Sequence, residues 1–84
     1  MAATLDDIRQ WLLIGKSMKD ITHMLVVCDT FDFEDYPVYV NLNRNVREVY
    51  NEFDGKDMQS VMEVYSYRLN LDRQLEQKRS LNFD

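Results

Sequence analysis

The run from His23 to Cys28 constrains the fold more than any other part of this 84-residue chain. It contains no Asp, Glu, Lys or Arg, is rich in Val, Leu and Met, and shows no alternation of apolar and polar residues. Such a short continuous apolar run is typical of a central strand covered on both of its faces. Because two separate cores would each be too small to bury enough apolar surface, we expect residues 1–84 to form one domain.

Capping residues and apolar spacing predict two helices in the first two thirds of the chain. Thr4 begins a capping box, which predicts a first helix over about residues 4–18, with Gly15 near its end. Asn45 is a cap for a second helix, whose apolar stripe should end at the stop residue Gly55.

Two further strands are predicted on either side of this second helix. Pro37 is tolerated at the first residue of a strand, so a short strand should follow at residues 38–40 and form a hairpin with the first. Residues 60–67 alternate and predict a third strand. One face of that strand should carry Val61, Glu63, Tyr65 and Tyr67.

The C-terminal segment is mostly polar. Asn70 caps a possible last helix bearing Leu71 and Leu75, while residues 78–84 are equally compatible with a frayed tail. The order α-β-β-α-β-α predicts an α+β fold, in which a small, three-stranded, mainly antiparallel sheet is covered by helices on one face.

The charge of the chain is concentrated in its centre. The net charge is −5, and residues 29–63 alone hold nine acidic and three basic residues, a balance of −6. Direct nucleic-acid binding needs basic groups that displace counterions from phosphates, so it is not expected. A partner protein with a basic surface fits this charge better.

The cysteine content and the amino end bear on the compartment. The single cysteine excludes an intramolecular disulfide and favours a reducing compartment. Residues 1–7 lack the form of a secretory signal, and no apolar run reaches the ~18 residues that span a bilayer. We therefore expect a cytoplasmic protein without membrane contact, and a homodimer is compatible with so small a core.

No motif for catalysis or cofactor binding is present. The two glycines, Gly15 and Gly55, do not form a phosphate-binding loop between a strand and a helix. Cys28 is five positions after His23 on one predicted strand, and this odd offset places their side chains on opposite faces. We expect neither an enzyme nor a bound cofactor.

Residues 29–36 combine four carboxylates with aromatic side chains, and three interpretations are open. Oxygen ligands from Asp29, Asp32 and Asp35 could hold Mg²⁺ or Ca²⁺, although the central glycine of a calcium-binding hand loop is absent. The two phenylalanines could instead anchor the loop to the core. In the third interpretation, exposed aromatics beside carboxylates form a protein-binding surface. Its candidate residues are Asp29, Phe31, Asp32, Phe33, Glu34, Asp35 and Tyr36.

The second helix and the turn after it add more acids. Glu48 and Glu52, with Asp54 and Asp57, are most simply a solvated face. If they lie near residues 29–36 in space, they would extend a carboxylate array that imitates nucleic-acid phosphates for a basic groove. Glu48 and Glu52 are therefore included among the candidate partner-binding residues.

The segment HMLVVCDTFDFEDYPVYV at residues 23–40, with MEVY at residues 62–65, resembles small bacteriophage and mobile-element proteins. The resemblance covers about a quarter of the chain and implies no catalytic residue. It implies a phage protein in the host bacterial cytoplasm that inhibits a host defence protein, of the anti-CRISPR type. The alternatives are a small metal-binding protein or enzyme using Asp29, Asp32 and Asp35, and a housekeeping homodimeric adaptor.

Overall fold

The computed structural model describes residues 3–84. Three helices and three strands follow one another in the predicted order α-β-β-α-β-α. Their bounds are α1 Leu5–Ser17, β1 Ile21–Asp29, β2 Glu34–Asn41, α2 Val46–Phe53, β3 Gln59–Ser66 and α3 Leu71–Glu76. The predicted α+β class is therefore confirmed.

The three strands form one antiparallel sheet in the order β2-β1-β3. β1 is its central strand, as the apolar run at residues 23–28 predicts. At one end of the sheet Asp29 is opposite Glu34 on β2 and Gln59 on β3. The hairpin loop between β1 and β2 and the loop that enters β3 therefore lie at the same end.

The prediction that helices cover only one face of the sheet is wrong. Leu25 and Val27 of β1 pack in a core with α2, whereas Met24 and Val26 pack in a second core with α1 and α3. All four side chains are at most 1% exposed. Since successive side chains of a strand point to opposite faces, a continuous apolar strand needs a cover on each side.

The predicted face of β3 is also wrong, because an irregularity interrupts the strand. Val26 is opposite Glu63, but the next β1 residue, Val27, is opposite Val61, so Met62 is an extra residue on β3. Beyond such a bulge the side-chain alternation is reversed. Val61 and Val64 consequently share the α2 face, while Tyr65 lies on the other.

The C-terminal segment is hydrogen-bonded to the outer edge of β3 and is not a frayed tail. The Val64 amide donates to the Ser80 carbonyl at 2.7 Å, and the Asn82 amide donates to the Val64 carbonyl at 3.0 Å. The ring of Phe83 meets Tyr50 edge to face with centroids 5.4 Å apart. The segment runs parallel to β3 and satisfies backbone groups that this edge would otherwise expose.

The N-terminal caps of the first two helices match the prediction. The Thr4 hydroxyl accepts from the Asp7 amide at 3.1 Å, and the Asp7 carboxylate accepts from the Thr4 amide at 3.0 Å. The Asn45 side chain accepts from the amides of Arg47 and Glu48. These bonds satisfy backbone donors that the first turn of a helix leaves without partners.

Gly15 is a packing residue of α1 rather than a stop signal. It is buried, and the Tyr39 and Tyr67 hydroxyls donate to the carbonyls of Trp11 and Leu12 beside it. An added Cβ would lie 2.6 Å from Cε1 of Tyr39 and closer still to the Tyr67 hydroxyl oxygen. Only glycine leaves room for both tyrosine side chains to pack against this turn of the helix.

We predict that Gly15→Ala destabilises the protein by about 1–3 kcal/mol, the usual cost of overpacking. Alanine normally stabilises a helix by roughly 0.5–1 kcal/mol relative to glycine. A loss of stability in Gly15→Ala would therefore come from the steric contact, whereas a gain would come from helix propensity. Urea titration measures the free energy of unfolding, and Ile14→Ala on the exposed side of α1 is the control. A Gly15→Ala protein as stable as the wild type would contradict this packing.

Candidate functional site

The loop that joins β1 to β2 is short and internally bonded. It comprises residues 30–33, and the Phe33 amide donates to the Asp29 carbonyl at 2.6 Å. Phe33 has φ +56°, the left-handed conformation that reverses the chain before β2. The loop is therefore a defined turn.

Asp29 builds this turn with its side chain. One carboxylate oxygen accepts from the Phe31 amide at 2.9 Å and from the Asp32 amide at 3.4 Å. This is the local bonding by which Asp stabilises turns. The sequence predicts that Asp29 contacts a partner or a metal, and the structure shows that one of its carboxylate oxygens stabilises the turn. An Asp at the end of a strand is the sequence signal for this structural role.

A second loop braces the first. Both the amide and the hydroxyl of Thr30 donate to the Met58 carbonyl, at 2.7 and 2.6 Å. This second loop is residues 55–58, and three of its residues have positive φ angles, namely Gly55, Asp57 and Met58. We call residues 30–34 together with residues 55–58 the tip surface. Met58 belongs to it, and sequence patterns missed this residue because only the fold brings the two loops together.

The tip surface presents large apolar side chains to solvent. Phe31 is 70% exposed, Phe33 is 68% exposed and Met58 is 59% exposed. The interpretation in which both phenylalanines anchor the loop to the core is therefore wrong. Their exposure has a local cause, since the turn is held by backbone bonds and by Asp29 and needs no aromatic anchor.

Carboxylates surround these apolar side chains. Residues 29–35 and 54–58 contain six acids and one lysine, a balance of −5 that equals the net charge of the whole chain. Asp32, Glu34 and Asp57 are exposed. The predicted concentration of negative charge thus falls at one end of the sheet.

Asp35 and Tyr36 lie behind the tip surface and are half-buried. Asp35 accepts from the Ala3 amide at 2.8 Å. Tyr36 packs against the α2-side core and donates to Gln59 at 2.8 Å. Burial, followed by the charge of Asp29, raises the pKa of Tyr36. Both residues support the hairpin more than they extend its exposed surface.

Glu48 and Glu52 are not part of the tip surface. α2 starts at the far end of the sheet, after β2 has run away from the hairpin, and Glu48 is in its first turn. Glu52 forms an ion pair with Arg44 in the loop before α2. Arg44 therefore offsets the charge of Glu52, while Glu48 lies toward the far end of the sheet.

The geometry does not favour the metal interpretation of Asp29, Asp32 and Asp35. Within residues 3–84, no group of three or more His, Cys, Asp or Glu side chains is placed to hold an ion. Asp29 accepts bonds from its own turn and Asp35 accepts from the amide of Ala3. A divalent cation would have to displace these bonds to obtain its oxygen ligands.

His23 and Cys28 serve separate faces of β1, as their spacing predicts. The His23 ring is buried and lies 3.2 Å from the Phe83 carbonyl, where it helps to hold the C-terminal segment. Burial, with a hydrogen bond to Asp35, raises the pKa of the Cys28 thiol. A raised pKa reduces the thiolate fraction, which is the opposite of what a nucleophile requires.

No helix of residues 3–84 has both the length and the apolar character needed to cross a membrane. Comparisons with models of protein families, with curated proteins and with solved structures found no match for this chain.

Proposed function

We propose that this chain is a small acidic phage or mobile-element protein that binds and inhibits a host defence protein, in the manner of anti-CRISPR proteins. The tip surface would be its contact, placed in a basic nucleic-acid-binding groove of the host protein. One observation supports this most, namely Phe31 exposed on a braced turn and surrounded by carboxylates. The phage context comes from the resemblance of residues 23–40.

The braced turn favours binding because little order has to be created on association. Phe31 and Asp32 have their amides bonded to Asp29, and Thr30 is tied to Met58. Aromatic side chains in preorganised positions are frequent anchors of protein interfaces. Such an anchor would add desolvated contact area that salt does not screen.

The charge of the tip surface would determine how fast the partners meet. Opposite potentials steer diffusional encounter, and salt reduces this effect over a Debye length of roughly 8–10 Å. The tip surface has a balance of −2, and Asp29, Asp35 and Asp54, which adjoin it in sequence, bring the local balance to −5. This charge is matched to a groove lined by Lys and Arg that ordinarily holds nucleic acid. Occupying such a groove would exclude the nucleic acid.

The partner can be recovered by a pull-down from host lysate and mass spectrometry. For the recovered protein we predict that Asp32→Lys with Glu34→Lys slows association by about tenfold or more and flattens its dependence on salt. Both side chains are exposed, so the fold should survive. Kinetic binding at several salt concentrations measures the effect, and the wild type, but not the variant, should displace nucleic acid from the partner.

The control is Glu48→Lys with Glu76→Lys, two exposed acids outside the tip surface that change the net charge by the same amount. If the control slows association as much as the tip variant, total charge and not this surface governs binding. Unchanged association rates in a folded tip variant would remove residues 30–34 from the interface.

A further inference from the structure

The exposed side chains of the hairpin turn alternate between aromatic and acidic. Phe31, Asp32, Phe33 and Glu34 follow one another in the sequence, and all four side chains are exposed. The bonds from Asp29 to the amides of Phe31 and Asp32 hold the first half of this order in place. The turn therefore presents one ring and one negative charge for every two residues.

This alternation has the chemistry of a single nucleic-acid strand, in which each nucleotide carries one base and one phosphate charge. Proteins that bind single strands without reading their sequence combine a basic groove, which follows the phosphates, with aromatic side chains on which the bases stack. A phenyl ring can stack on the same aromatic side chain as a base, because both have a π-face. A carboxylate beside it supplies the charge of the phosphate.

The charge of the molecule does not reproduce the phosphates of a duplex. A DNA duplex carries about one negative charge for each 1.7 Å of its axis, so its imitation needs an extended array of acids. The tip surface holds three exposed acids and one exposed lysine. Glu52, which could lengthen the array, is paired with Arg44, and Glu48 lies toward the far end of the sheet. The negative charge is thus short and local.

The exposed rings also favour a single strand over a duplex. In a duplex the faces of the bases are stacked on one another, so a protein reaches the phosphates and the base edges in the grooves. A duplex-binding groove therefore needs no aromatic side chain on which Phe31 could stack. A channel for a single strand supplies both this aromatic side chain and the cations that Asp32 requires.

We propose that the tip surface occupies a channel of the host protein that ordinarily binds single-stranded DNA or RNA. Phe31 would stack where a base stacks, and Asp32 would meet a Lys or Arg that ordinarily contacts a phosphate. The inference rests on the proposed function and narrows its partner to proteins that bind single strands. Such channels tolerate many sequences, because stacking does not depend on the hydrogen-bonding edge of a base.

Competition with defined nucleic acids tests this inference. The host protein recovered by the pull-down is loaded in turn with three labelled probes of about 20 nucleotides, longer than the roughly 4–16 that one single-strand-binding domain covers. They are a dT strand, a U strand and a DNA duplex of mixed sequence. We expect the wild-type chain to release at least one of the single strands, and to leave the duplex bound, in fluorescence anisotropy. The two single strands distinguish a DNA channel from an RNA channel.

Two substitutions of Phe31 separate stacking from simple apolar burial. Phe31→Leu keeps an apolar side chain but removes the π-face, and we expect it to weaken competition with the single strand by about tenfold or more. Phe31→Tyr keeps the ring and should compete within about twofold of the wild type. Leu42→Ser, at an exposed residue at the opposite end of the sheet, should compete like the wild type. Because residue 31 is exposed, both variants should fold, which a thermal melt verifies.

The outcomes separate this inference from the proposed function. Release of the duplex alone, or equal competition by Phe31→Leu and the wild type, would overturn the single-strand inference and leave the proposed function intact. Binding of the host protein without release of any probe, or a pull-down that recovers no host protein, would contradict both.

Discussion

Val26→Asp is expected to abolish folding. Val26 is 1% exposed in the central strand and packs with α1, α3 and Tyr65. A buried carboxylate without a partner costs several kcal/mol, which is comparable with the roughly 3–5 kcal/mol that the core of so small a domain supplies. Circular dichroism and a thermal melt should show no cooperative transition.

The matched control places the same side chain in solvent. Leu42→Asp changes a residue that is 67% exposed in the turn after β2, and its melting curve should stay close to that of the wild type. A cooperative melt of Val26→Asp at an unaltered temperature would mean that β1 is not the buried centre of the sheet.

Removal of residues 80–84 is expected to destabilise the protein by about 3–5 kcal/mol. The deletion breaks two backbone bonds between this segment and Val64. Further bonds would also be lost, including three to His23, Ser66 and Gln74. At about 1 kcal/mol net for each of these five bonds, the loss approaches the stability of the whole domain.

Urea titration of the shortened chain measures this loss. Asn82→Ala is a suitable control, because it removes an exposed side-chain hydrogen bond to Gln77 and keeps the backbone bond of residue 82 to Val64. We expect the control to change the free energy of unfolding by less than about 1 kcal/mol. A shortened chain as stable as the wild type would contradict the parallel pairing along β3.

Local patterns were sufficient to predict the elements of this fold. The unalternating run at residues 23–28 identified the central strand, and the caps Thr4 and Asn45 identified two helix starts, because both signals depend on neighbouring residues alone. Features that depend on distant residues were not predictable in this way. The bulge at Met62, the use of both sheet faces and the contact of Gly15 with Tyr39 all require the tertiary arrangement.

The candidate site shows the same division. The sequence placed acids and aromatics together in residues 29–36, but it could not decide whether Phe31 is exposed or which acids adjoin it in space. The folded chain adds Met58, through the bonds from Thr30, and pairs Glu52 with Arg44. Proximity between loops distant in sequence is set by strand register, which no local pattern encodes.

Site-specific photo-crosslinking to the recovered host protein tests the tip surface most directly. A benzoylphenylalanine placed at residue 31 replaces one exposed aromatic side chain by another, and the same group at residue 42 reports on the opposite end of the sheet. We expect covalent capture of the host protein from residue 31 and not from residue 42. Capture from residue 42 alone would contradict the assignment of the tip surface as the site of binding.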